Sequence, residues 1–196
     1  MRNVRNYLIP PIFAGIMIAI GCLVYCNGNG GVINAILFSF GLISIFLLDL
    51  RLYTGVIGFC NNAVTLLGAF WVLIGNIIGV SFLTLLQSPY ACDMMASKLS
   101  QNLGITFLKA TLCGIIIYVC VRVWKNKGLW QFSLIGVPAF ILSGAEHSVA
   151  DIGYVFLAKS FSWRALAFLL IVVVGNAIGS IATHKLLSKE RRVLND

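Results

Sequence analysis

Apolar residues fall into six runs, near residues 8–26, 32–50, 64–87, 103–123, 131–157 and 163–188. Each is of the length, about 20 residues, that an α-helix needs to cross the hydrocarbon core of a bilayer. The connections are short. Asn27–Gly31 reads as a Gly/Asn turn, Ser88–Asn102 as the longest loop, and Trp124–Trp130 as a basic link flanked by aromatic residues. Little chain remains for a soluble domain, so the pattern predicts an all-α integral membrane protein with residues 1–196 forming one transmembrane domain.

Two of the runs are interrupted. The second ends in Asp49-Leu50-Arg51-Leu52-Tyr53-Thr54-Gly55, and in the fifth Pro138 is followed by Ser143-Gly144-Ala145-Glu146-His147-Ser148. Charged, glycine-rich sequence at membrane depth is tolerated where it faces protein or a water-filled cavity, so both breaks are expected to point inward. Each lies about a helix before a matching motif, Gly75-Asn76-Ile77-Ile78-Gly79 in the third run and Gly175-Asn176-Ala177-Ile178-Gly179 in the sixth. This reads as an internal repeat, about 8–87 and 103–188. Three spans per copy is an odd number, so the copies must be inverted. The expected architecture is six transmembrane helices in two inverted three-helix repeats with helices 2 and 5 broken, aquaporin-like in plan. Paired breaks in such repeats point to a substrate site near the midplane.

Composition agrees with a lipid-solvated chain: 60% of residues are hydrophobic and 10% charged, and the mean hydropathy is +0.97. The 19 glycines suit close approach of membrane helices. A net charge of +8 could suggest nucleic acid, but the basic residues sit between apolar runs rather than on one water-facing surface, and no nucleic-acid partner is expected. Arg2 and Arg5 precede the first run, Arg122, Lys125 and Lys127 follow the fourth, and Lys185, Lys189, Arg191 and Arg192 close the chain. Opposite them stand Lys98, Lys159 and Arg164. The positive-inside rule therefore places both termini in the cytoplasm of a multi-pass protein of the inner membrane. The first run is read as a retained helix, since further spans follow it and no small-residue cleavage site is clear. Cys22, Cys26, Cys60, Cys92, Cys113 and Cys120 are scattered, without metal-ligand spacing, and read as small buried hydrophobes. No metal or cofactor is expected.

These residues resemble the formate/nitrite transporter family from the first run to the C-terminus. Gly144-Ala145-Glu146-His147-Ser148-Val149-Ala150-Asp151 is similar to that family's G-x-E-H-S-[IV]-A-N stretch, and Leu52-Tyr53-Thr54-Gly55 to its L-F-T-[GS] pattern. The resemblance places Lys98, eleven residues before Lys109, at the family's vestibule lysine, and Phe38, Leu42, Ile117 and Phe140 at its apolar constrictions. Two positions depart from the pattern. Arg51 stands where an acidic residue is usual three places before the threonine, and Gly114 where an Asn is usual in span four. The latter change would widen the site or make room for Tyr118. The resemblance implies a homopentamer, each subunit with its own pore for a small anion, with or without a proton.

His147 is the only histidine in an apolar run away from a terminus, and at a helix break its ring can meet a permeation path. A lone membrane histidine is otherwise a hydrogen-bonded packing residue. Histidine suits proton exchange because its reference pKa is about 6.5. Glu146 cannot share His147's face and is expected to hold backbone N–H groups of the loop from behind, with Arg51 as its countercharge. Arg51 snorkelling to the interface is the equal alternative. Thr54 is expected to donate to His147 or to an anion, or to cap a short helix starting at Gly55. Lys98 is either a solvated loop residue or an attractor of anions. Phe38, Leu42, Leu52, Tyr53, Ile117 and Phe140 would form two apolar slits around His147, or ordinary core. Asp49 and Asp151 would cap the second halves of the broken helices, and His184 is placed at the cytoplasmic interface.

The function that follows is a channel or transporter for small monovalent anions, such as formate, nitrite, acetate, lactate or hydrosulfide, proton-coupled through the central histidine. An aquaporin-like pore for neutral solutes is the alternative, although NPA pairs are absent from the sequence. An enzyme using His147 and Glu146 as acid and base, and a purely structural subunit, are the remaining readings; no second catalytic cluster or nucleotide motif supports an enzyme.

Overall fold

In a computed structural model, each of the six apolar runs is helical. The structure describes residues 3–193, and side chains from 8 to 188. Arg2 and the side chains of Arg5, Lys189, Arg191 and Arg192 lie outside the described residues. The helices are α1 Asn3–Asn27, α2 Val32–Leu47, α3 Tyr53–Val56, α4 Ala63–Val80, α5 Pro89–Ser100, α6 Leu103–Lys127, α7 Ser133–Leu142, α8 Ser148–Ala158 and α9 Trp163–Val193.

The helix starts are written locally. Asn62 and Thr65 form a reciprocal capping box at α4, with Thr65 N–H donating to Asn62 Oδ1 over 2.9 Å and Asn62 N–H to Thr65 Oγ1 over 3.2 Å. Asn102 Oδ1 caps α6 by accepting from Gly104 N–H at 2.8 Å. The expected turn after α1 is present, with Asn29, Gly30 and Gly31 at positive φ. The segment Ser88–Asn102, in contrast, is not a loop. Ser88 Oγ accepts from Ala91 N–H at 3.4 Å, Pro89 fills the first helical position, and a helix of 12 residues follows. Its polar sequence hides it from a search for apolar runs, but a serine before a proline is a helix-start signal.

Four described helical stretches are long and apolar enough to cross a membrane: Leu8–Asn27, Ala63–Leu85, Leu103–Lys127 and Trp163–Ser188. They form two close pairs, α1 with α4 and α6 with α9, while α2 packs against α7. The pairs are closed backbone to backbone by glycine. A Cβ at Gly15 would collide with the Asn76 carbonyl and one at Gly79 with that of Ile12; in the other pair Gly114 meets Asn176 and Gly179 meets Thr111 in the same way. Gly114 therefore neither widens a site nor makes room for Tyr118, as the sequence reading has it. It lets α6 touch α9, and Ser180 Oγ donates to its carbonyl at 2.9 Å. Gly114→Ala is expected to cost about 1–3 kcal/mol by overpacking. Gly68→Ala, at an exposed helical site where a Cβ meets nothing, is expected to be neutral or stabilising. Thermal unfolding of the two purified variants checks the contrast.

The outer surface is apolar. Trp163 is 86% exposed, Val64 80% and Leu85 83%, which water would not tolerate across so many helices. With the four long apolar helices, this makes the chain a membrane protein. At the centre lies α8, of which every residue except Phe156 is buried.

Candidate functional site

α2 stops at Leu47 and helix resumes at Tyr53; α7 stops at Leu142 and helix resumes at Ser148. Both resumptions are held by the same device. Asn76 Oδ1 accepts from Tyr53 N–H at 2.8 Å, and its Nδ2 donates to the carbonyls of Pro11 at 2.7 Å and Arg51 at 2.9 Å. Asn176 Oδ1 accepts from Ser148 N–H at 2.8 Å, and its Nδ2 donates to the carbonyls of Ala110 and Glu146, both at 2.8 Å. Arg51 N–H reaches Pro10 O at 3.5 Å as Glu146 N–H reaches Lys109 O at 3.4 Å. Each asparagine is fully buried and has all three of these amide bonds made, so the irregular backbone of each break is satisfied away from water. The asparagines stand in the two Gly-Asn-x-x-Gly motifs. The sequence marks these as a repeat, but does not say that their amides splint the breaks.

Within these splints Leu52 and His147 hold the same place, the residue just before the resuming helix. His147 caps α8: its Nδ1 accepts from Ala150 N–H at 3.2 Å. Asp151 lies in the first turn of α8, where the helix dipole favours an acid, although the side-chain cap is His147; Asp49 does not cap α3, which has no side-chain cap and no acid in its first turn. With Nδ1 an acceptor, a neutral ring carries its proton on Nε2, and Nε2 lies 3.0 Å from Thr54 Oγ1. The expected meeting of Thr54 and His147 is therefore present with the roles reversed. The ring donates, and the threonine hydroxyl keeps its own proton for a third group. Thr54 lies inside α3 rather than capping a helix at Gly55.

His147 and Glu146, despite being neighbours, line one cavity of about 430 Å³, together with Lys98, Lys109, Phe140 and Asp151. Phe140 stacks on His147 at 5.5 Å between centroids and meets Phe38 edge-on at 6.1 Å. A second cavity, of about 210 Å³, is lined by Leu42, Leu52, Arg51 and Asp49 among others. The His147 and Thr54 bond joins a residue that lines the first cavity to α3, whose Gly55, with the preceding Leu52, lines the second. Phe38 and Ile117 are buried and line neither cavity. Tyr53 is also outside both, and its hydroxyl donates to Val173 O at 3.2 Å, tying α3 to α9.

The cation that meets Glu146 is Lys98, not Arg51. Lys98 Nζ pairs with Glu146 Oε2 and, at 3.1 Å, with Asp151 Oδ1, while Gln101 Nε2 donates to Glu146 Oε1 at 3.4 Å. Glu146 thus holds the side chains of Lys98 on α5 and of Gln101 just after it, rather than loop N–H groups. Lys98 is also neither a solvated loop residue nor a free attracting charge. Lys109, used in the sequence only as a ruler, lines the same cavity with a neutral partner, donating to Gln101 Oε1 at 2.6 Å. On α5, outside the apolar runs, burial works against the Lys98 ammonium, but Asp151 and Glu146 outweigh it and hold its pKa above the ordinary lysine value. Because folding raises this pKa, the stabilisation is complete below the ordinary value and is lost as pH rises through the folded one. Lys98→Met is expected to lower stability by on the order of 1–3 kcal/mol, and by more at pH 9 than at pH 6, because Glu146 and Asp151 are then buried without a cation and resist ionising. Melting curves of both proteins at the two pH values test this, and a gap that narrows as pH rises contradicts it.

A sequence model of the formate/nitrite transporter family matches residues 1–188. The chain belongs to the formate/nitrite transporter family. Among solved structures, it is similar to one described as an FNT family ion channel, with a TM-score of 0.84, 18% identity, and coverage of 96% of this chain and 91% of that one. It is also similar to a pentameric formate channel with formate bound, with a TM-score of 0.75, 17% identity and 96% coverage of both chains. At these identities the likeness is one of fold. No curated protein sequence matches. For this family member, no group of three or more metal-ligating side chains is present among the described residues, and all six cysteines are free.

Proposed function

We propose that the protein is a channel for small monovalent anions of the formate type, in which the anion crosses together with a proton at His147. The observation that carries this reading is the Nε2 to Thr54 Oγ1 bond at 3.0 Å, placed between two cavities and flanked by apolar side chains. Family membership and the similarity to a formate-bound channel support it. In this reading the interrupted pairs α2/α3 and α7/α8 complete two further crossings, making six in two inverted three-helix repeats within a single domain. Subunits assemble as a homopentamer, and both termini face the cytoplasm of the inner membrane.

An anion in a narrow apolar passage faces a desolvation cost whose idealised limit is on the order of 20 kcal/mol and which in practice is still several. Three features lower it. Lys109, whose partner is neutral, meets the anion in the first cavity. The His147 Nε2–H and the Thr54 hydroxyl then replace its water as hydrogen-bond donors. Finally, the substrate passes Leu42 and Leu52 as a near-neutral acid. The proton carried by the substrate comes from bulk water reaching the first cavity, which the ring lines: it is taken at Nδ1, in exchange for the bond from Ala150, as the Nε2 proton passes to the anion. Phe38, Ile117 and Phe140 are the apolar constriction, and Arg51 receives the anion in the second cavity. Tyr53 and Gly114 keep packing roles.

Flux into proteoliposomes is the test, with formate, nitrite, acetate, lactate and hydrosulfide against urea and glycerol at pH 5.5 and 7.5. The expected result is anion flux that rises as pH falls, with neutral solutes at background. Equal passage of urea and formate at both pH values would establish the neutral-solute pore instead.

A further inference from the structure

Beside the C-terminal half of α6, a cavity of about 230 Å³ is lined by Phe59, Tyr118, Arg122, Asn126, His184 and Ser188. It shares Arg122 and Asn126 with a groove of about 220 Å³ walled by Val119, Val123 and Leu187, with Lys127 also lining it. Neither shares a residue with the two cavities that flank His147 and Thr54.

The polar groups of this cavity form a connected set of donors. Arg122 Nη1 donates to Tyr118 Oη at 2.8 Å, and Nη2 to the Leu187 carbonyl at 3.3 Å. Tyr118 Oη lies 3.0 Å from His184 Nδ1. That oxygen already accepts from Arg122, and in the tautomer where its own proton goes to Nδ1 the imidazole offers Nε2–H as a further donor. Lys125 Nζ stands 4.1 Å from the centroid of the Phe59 ring, which forms part of the wall. No carboxylate lines either space among the described residues, and the ion pairs found there both belong to Lys98. The guanidinium is therefore half-buried against neutral acceptors, with N–H groups to spare from its five.

A concentration of cationic donors with no counter-anion among the described residues calls for an anion with several acceptor oxygens. The adjoining groove decides its source. A phosphate next to an aliphatic slot, on a helix of a membrane protein, matches an amphiphile rather than a free ion.

We propose that this is a binding site for an anionic phospholipid, the phosphate taken by Arg122 with His184, Asn126 and Ser188, and one acyl chain laid along Val119, Val123 and Leu187. The site is independent of the transport reading and needs only that the chain lie in a bilayer.

The test is ligand-dependent melting and native mass spectrometry of the full-length protein in detergent. The probes are phosphatidylglycerol, phosphatidylcholine, and inorganic phosphate at the same concentration. Phosphatidylglycerol is expected to raise the melting temperature and stay bound, with the other two giving little. Arg122→Gln is expected to weaken phosphatidylglycerol binding about tenfold or more, the loss of one charge-assisted contact of roughly 1.4 kcal/mol. Val123→Trp, which fills the groove and leaves every cation in place, is expected to weaken it as well. Equal effects of the two lipids, full reproduction of the shift by inorganic phosphate, or undiminished binding by a folded Arg122→Gln would each overturn the proposal. Should Arg122→Gln fail to fold, undiminished binding by Val123→Trp does so alone.

Discussion

Asn176→Ala is expected to destabilise the protein by on the order of 3–5 kcal/mol and to abolish transport. Three buried hydrogen bonds disappear with the amide, each worth about 1 kcal/mol net. Their partners, Ser148 N–H and the carbonyls of Ala110 and Glu146, belong to buried residues and are then left without the amide, which adds a desolvation penalty. Asn176→Asp is the informative companion. It keeps the acceptor for Ser148 N–H but turns an oxygen toward two carbonyls, so it is expected to be no better tolerated than alanine. Asn76→Ala is expected to behave alike, because Asn76 makes the equivalent three bonds. Unfolding of detergent-solubilised protein can be followed with a thiol-reactive dye, since Cys22, Cys113 and Cys120 are buried and free. An Asn176→Ala protein that melts within 1 °C of wild type would remove the splint from the account.

The second large effect concerns His147. His147→Phe is expected to lower formate flux by at least about a hundredfold, roughly 2.7 kcal/mol of barrier at 1.36 kcal/mol per decade, and to abolish its pH dependence. Phenylalanine also loses the cap on α8, worth about 0.5–2 kcal/mol, so reduced flux alone would not separate chemistry from folding. His147→Asn does. Asparagine is a favoured cap residue, keeps an acceptor near Ala150 N–H and supplies no titrating ring. It is expected to melt near wild type and to share the flux defect. Retention of pH-dependent uptake by either variant would exclude the ring as the proton carrier.

The sequence displays the features that violate the rules of lipid-exposed chain. Charged residues inside apolar runs announce both breaks, and the duplicated Gly-Asn-x-x-Gly motif announces that they are related. His147 stands out because few histidines lie within the apolar runs. What stays hidden depends on partners brought from afar. Nothing local to Lys98 says that its ammonium lies between Glu146 and Asp151, 48 and 53 positions away, because that contact exists only once α5 folds over α8. Gly114 misleads for the opposite reason. Set against the family pattern it looks like a missing asparagine, whereas its requirement comes from the Asn176 carbonyl on another helix. The direction of the Thr54 bond was equally invisible, since it follows from what the far side of the imidazole accepts.

The glycine contacts between α1 and α4, and between α6 and α9, bear on how such a pore could open. Two helices whose main chains interlock at fixed registers cannot slide or tilt past one another without a steric collision, so each pair moves as a single girder. The short stretches at 48–52 and 143–147 are tied down as well, by the Asn76 and Asn176 amides and by their own backbone hydrogen bonds. Relative movement is thereby confined to the seam where one girder and its partners meet the other.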